Sequence, residues 1–152
     1  MIDTQLAGFL QEGLGIYLGT RDDDLRPEGA RALAAAVDAD GVHVTVYAAE
    51  IAAARLRAHL ESNGQIAVSF ARPIDDRACQ VKGVFVGARQ LRPDERQHAR
   101  AQWNAFLTNL EHIGIPRAAV CAWHSTPDLA IRLRATAIFE QTPGPSAGAA
   151  IA

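Results

Sequence analysis

Residues 65–91, QIAVSFARPIDDRACQVKGVFVGARQL, hold two apolar, β-branched runs on either side of a polar segment. The runs at 66–70 and 81–86 have the length and composition of strands, and Pro73, Asp75 and Asp76 punctuate the stretch between them. That link is too short for a crossover helix, so the two strands must be antiparallel neighbours. A strand pair of this length forms the wall of a small sheet or barrel, with a polar turn at its tip.

Upstream, residues 42–47, VHVTVY, alternate as a strand. The DADG tetrapeptide at 38–41 reads as a hairpin turn and requires a partner strand before it. The partner is 30–37, ARALAAAV, although its alanines favour helix on propensity. Residues 14–20, LGIYLGT, suit a buried strand, and Asp22, Asp23 and Asp24 beside Arg21 and Arg26 form a solvated, self-compensating turn.

Three helices are expected. Residues 3–12 place Leu6, Phe9 and Leu10 on one face behind an Asp3 or Thr4 cap. In residues 48–63, Ala52, Leu56 and Leu60 recur every four positions before a Gly64 stop. Pro93 opens the third, where Ala99, Trp103, Phe106, Leu107, Leu110 and Ile113 share a broad face. Residues 120–123 read as an edge strand or a packed loop. Residues 129–141 alternate as a last, half-exposed strand carrying Arg132, Arg134 and Thr136. The tail, 142–152, contains turn formers and small residues and is expected to be disordered. Six strands and inserted helices without βαβ regularity give a mainly β, α+β fold, an antiparallel barrel or sheet in one domain over residues 1–141.

The 152 residues are 49% apolar and 21% charged, and the net charge is −2. Such a balance argues against nucleic acid or an anionic membrane surface as partner. No apolar run reaches membrane length, and the start lacks a basic, apolar leader pattern, so a cytoplasmic protein is expected. Cys79 and Cys121 lack CxxC spacing and read as reduced thiols. The five histidines share no metal-ligand spacing, and no metal site is expected. Phosphate loops, nucleophile elbows and dinucleotide fingerprints are missing as well.

The order IYLGTRDDDLRP, strand–turn–strand around DADG, a helix ending in ESNG, and IAVSFARPIDDRACQVKG resembles the split-barrel flavin-binding family of pyridoxamine 5′-phosphate oxidase, over roughly residues 14–140. The resemblance implies a six-stranded Greek-key barrel that dimerises and binds FMN, or a related deazaflavin, in a groove between subunits. It places the cofactor phosphate at Arg55, with help from Lys82 or Arg77, and the ring along Thr45, Val46 and Tyr47 with Gln80. Where the oxidase has Arg-Gln at the start of its fifth strand, this chain has Arg77 and Ala78, with Gln80 two residues on. The implied function is a two-electron oxidoreductase acting on a small molecule whose identity the sequence does not reveal. The other reading is a non-catalytic ligand-binding or sensor dimer on the same barrel.

Overall fold

The computed structural model describes residues 2–123 and 126–151, with the side chains of residues 51 and 121–123 left undescribed. The elements run α1 (Thr4–Leu10), β1 (Gly15–Arg21), β2 (Pro27–Val37), β3 (His43–Ala48), α2 (Glu50–Asn63), β4 (Gln65–Ala71), β5 (Ala78–Gln90), α3 (Pro93–His112), a 3₁₀ helix (Arg117–Trp123) and β6 (Leu129–Glu140). The strands close into a barrel in the order β1-β2-β3-β6-β5-β4, every pair antiparallel. Two three-stranded meanders are thus joined along β3–β6 and β1–β4, the closed six-stranded barrel that the family resemblance implies.

The stretch that decided the reading forms the ladder Gln65↔Val84 to Ala71↔Ala78. Alternation fills the barrel with one face of each strand. Ile16, Leu18, Val44, Val46, Val68, Phe70, Val81, Ile131 and Leu133 all point inward and are buried. Residues 30–37 are strand despite their alanines: small side chains suit a strand covered on both faces, and pairing with β3 overrides propensity.

The two short helices close opposite ends of the barrel. From α1, Phe9 and Leu10 enter the core beside the start of β1, whereas Leu56 and Leu60 of α2 enter beside its end. Ala49 offers α2 no side-chain cap, so Asp128 supplies one across the fold, accepting from the Glu50 N–H at 2.6 Å. Outside the barrel, α3 packs on β2 through Trp103, Phe106 and Leu110 against Leu33.

Residues 120–123 are neither edge strand nor loop; they lie in the 3₁₀ helix that follows α3. The tail turns back along β6, with the Gly148 N–H donating to Glu140 O and the Ile151 N–H to Ile138 O.

Candidate functional site

The helices leave one wall of the barrel bare. Its outward positions come from β1, β4, β5, β6 and β3, and their registers line up in rows. Tyr17 stands beside Ser69, then Gln80 and Phe139; Gly19 stands beside Ala67, then Lys82 and Ala137. Val84, opposite Arg134, is 42% exposed, and Val86 is 50% exposed. Two exposed valines on one strand are an unusual apolar investment for a surface that meets only water.

Two grooves cross this wall. The larger, about 520 Å³, has a floor of small residues including Gly19, Ala67 and Gly83, and polar sides of Lys82, Arg21 and Thr136. The smaller, about 200 Å³, lies between Thr45, Val86, Arg89 and Arg132. The cations differ in their commitments. Arg132 is paired with Asp38 at 2.5 Å, and Arg89 with Glu95. Arg21 donates to the Asp22 carbonyl and to Gln65. The Lys82 ammonium sits 4.8 Å from the Phe139 ring centre, a cation–π contact that leaves its donors available. Lys82, Arg21 and Arg134 have no carboxylate partner among the described residues.

The sequence-predicted residues separate into three places. Gln80 and Lys82 share the bare wall, where Gln80 donates to the Ser69 hydroxyl at 3.1 Å; Thr45 borders the smaller groove but is buried, 7% exposed. Val46 points into the core. Tyr47 lies beneath α3, its hydroxyl donating to Glu95 at 3.5 Å; burial, then the Glu95 charge, pushes its pKa up to about 12. Arg55 stands on α2 with an 84% exposed side chain and a loose ion pair to Glu28 at 3.8 Å. Arg77 is at the α1 end, its guanidinium 4.3 Å from the Phe9 ring centre. One protomer therefore does not gather Arg55, Arg77 and Lys82 around one point. Ala78, standing where the oxidase has glutamine, is held through its backbone: its N–H donates to the Thr142 hydroxyl and its carbonyl accepts from the Gln141 N–H.

Sequence reading missed Arg21, Arg134 and Thr136 as wall residues. The alternation of β6 displayed the last two, but only the β5–β6 register, shifted twice, sets Arg134 opposite Val84 and lets the Thr136 hydroxyl donate to the Lys82 carbonyl at 3.2 Å. It also missed a cluster in the β2–β3 turn, where ligand atoms of Asp38, Asp40 and His43 lie within 4.8 Å. These groups are already engaged: Asp40 accepts from the backbone N–H groups of Val42 and His43 and contacts His43 Nδ1 at 2.6 Å, while Asp38 holds Arg132. The cluster staples a hairpin. The side chain of Trp123 and all of His124 lie outside the described residues.

No family profile and no curated protein matches the chain. Solved structures do. An F420 reductase superposes with a TM-score of 0.55 at 18% identity, covering 86% of this chain and 93% of its own. A candidate pyridoxamine 5′-phosphate oxidase from Lactobacillus delbrueckii gives 0.55 at 14% identity, covering 91% and 93%. An FMN-binding protein from Syntrophomonas wolfei gives 0.54 at 11% identity, covering 90% and 86%. The chain thus has the split-barrel fold of the pyridoxamine 5′-phosphate oxidase-like proteins. Among the described residues, no helix is long and apolar enough to cross a membrane.

Proposed function

We propose that this chain forms a homodimer that binds FMN at its bare barrel wall and serves as a flavin-dependent oxidoreductase. The observation that carries the proposal is the wall itself: exposed Val84 and Val86 beside a groove flanked by Lys82 and Arg21, with Arg134 opposite Val84, on a fold shared with proteins described as FMN-binding or as an F420 reductase. The residues present suit the cofactor. Cations without carboxylate partners suit a phosphate, a floor of glycine and alanine admits a flat ring, and the valines and Phe139 offer apolar cover.

Bound flavin would supply the two-electron chemistry; the chain's part is grip, orientation and exclusion of water. Lys82 would hold phosphate, Gln80 would turn its amide toward the ring edge, and Thr45 would present a hydroxyl along β3. Arg55 joins the same phosphate only if it comes from the other protomer, so a groove shared by two copies is the arrangement in which both serve. Phosphate contacts from two chains would also explain why one barrel wall stays bare in the protomer.

The test is direct. Purified protein should elute as a dimer, be yellow or take up FMN at micromolar concentration, and its bound flavin should be reduced by a nicotinamide donor. A colourless monomer that ignores added FMN refutes the proposal. The second reading, a non-catalytic ligand-binding dimer, is favoured by Ala78, which has no side chain to offer the ring and whose backbone groups Thr142 and Gln141 occupy. Flavin that binds but resists reduction by nicotinamide donors would select it.

A further inference from the structure

Outside the barrel, α3, the 3₁₀ helix and the outer face of β2 border an open cavity of about 590 Å³ that the flavin proposal does not use. Its floor is apolar and buried: Leu33, Trp103 and Val120 are each 5% exposed or less. Its rim is cationic, formed by Arg96, Arg100 and Arg117, and no carboxylate lines it among the described residues.

The rim charges are arranged against helix stability. Arg96 and Arg100 are four residues apart on α3, where like charges repel. The remaining positions three and four residues away hold Arg92, Pro93, Gln97, Ala99, Trp103 and Asn104, not acids. Arg117 is balanced by Glu111 at 3.0 Å, and among the described residues Arg96 donates to the Pro127 carbonyl at 3.2 Å and pairs with no carboxylate. Several other surface arginines are matched with acids, as Arg57 is with Glu61 and Arg72 with Asp75, whereas the unmatched Arg21 and Arg134 lie on the bare wall. An uncompensated pair over an apolar hollow is the arrangement expected where an anion with an apolar body completes the charge balance.

We infer that this cavity binds an organic carboxylate with an apolar body, its chain or ring against Trp103 and Leu33 and its carboxylate at Arg96 and Arg100. A volume of this size lies within the ordinary range for small-molecule pockets, about 300–1,000 Å³, and the inference does not depend on flavin binding.

Decanoate is a suitable probe, with 1-decanol as its uncharged counterpart, titrated into the full-length chain by calorimetry. Decanoate should bind saturably below about 1 mM, at least tenfold tighter than decanol. The double variant Arg96→Ala/Arg100→Ala should lose at least tenfold in decanoate affinity while its melting temperature stays level or rises, because a repulsion has been removed. Lys82→Ala should leave decanoate affinity unchanged. Absence of saturable binding, equal affinity for decanol, or undiminished binding by the double variant would overturn the inference. So would a fall of several degrees in the double variant's melting temperature, which would show that the arginines serve the fold.

Discussion

Arg89 grips Glu95 with both ends of its guanidinium, Nη1 donating to Oε2 at 2.7 Å and Nη2 to Oε1 at 2.6 Å. The contact joins the end of β5 to the first turn of α3, and Arg92 adds its backbone N–H at 2.9 Å. Glu95 is buried, and Arg89, followed by the Arg92 backbone, lowers its pKa from an ordinary 4.5 to about 2. A carboxylate with a depressed pKa stabilises the fold fully above its unfolded value, and that contribution is lost as pH falls from there toward the folded value. Glu95→Gln should therefore cost about 2–3 kcal/mol at pH 7, below the range for a fully buried pair because both arginines are partly solvated. Urea unfolding at pH 7 and at pH 3 checks this: the gap between wild type and variant should shrink at the lower pH. A constant gap would show that the charge is not the source.

Beyond Ala32, β2 outruns β1, and its free edge needs other partners. Gln102 of α3 supplies them, accepting from the Ala35 N–H at 3.0 Å and donating to the Ala35 carbonyl at 2.7 Å, so a side-chain amide stands in for a strand. Gln102→Leu would leave the buried Ala35 N–H unpaired and its carbonyl with only His98 Nε2, at 3.4 Å, and should destabilise by about 1–3 kcal/mol. Measured destabilisation under about 0.5 kcal/mol would mean that water takes the amide's place.

These two contacts show where sequence reading works and where it stops. Residues 66–70 and 81–86 announce their pairing because burial on one face imposes a period of two and the polar link forbids a crossover. The helix faces of Leu56 and Trp103 are as plain. Glu95 and Gln102, by contrast, look like ordinary polar residues on an exposed helix; their partners lie in β5 and β2, at separations no local pattern encodes. Lys82 was legible as outward-facing, but its wall companions Arg21 and Arg134 depend on three strands meeting in register. Residues 120–123 misled because a short apolar run has the same composition whether it packs as strand or as a 3₁₀ turn.

Cys79 is buried at the start of β5, and its thiol is pushed up to about 12, chiefly by burial and then by the nearby Glu140 charge. A thiol held protonated and out of solvent is a poor nucleophile. In a Cys121→Ser background the native protein should not react with a thiol-exchange reagent at pH 8, and should react fully in urea. Rapid labelling of the native form would show that the β5 end opens.

If one phosphate is shared across a dimer, Lys82→Ala and Arg55→Ala should each weaken FMN by about tenfold or more, the scale of one charge-assisted bond. Arg77→Ala should weaken it less, because its guanidinium already rests on Phe9. Calorimetric titration of FMN into each variant, with dimerisation confirmed by light scattering, separates lost grip from lost assembly. Arg55→Ala with unaltered affinity would remove α2 from the site.

Two glycines of β5 sort the wall from its support. At Gly83 an added Cβ would lie 2.4 Å from the Arg134 carbonyl oxygen, where the β5–β6 register shifts. At Gly87 it would meet nothing within 4 Å. Gly83→Ala must push β6 away, costing about 2–3 kcal/mol, and should also weaken FMN by distorting the groove floor. Gly87→Ala should lie within about 0.5 kcal/mol of wild type as a monomer. In a dimer closed through this wall the new methyl group would meet the partner, so Gly87→Ala should raise the dimer dissociation constant while leaving the protomer's unfolding unaltered. Sedimentation across a concentration series reads that constant. Unaltered dimerisation by Gly87→Ala would place the twofold contact on another face.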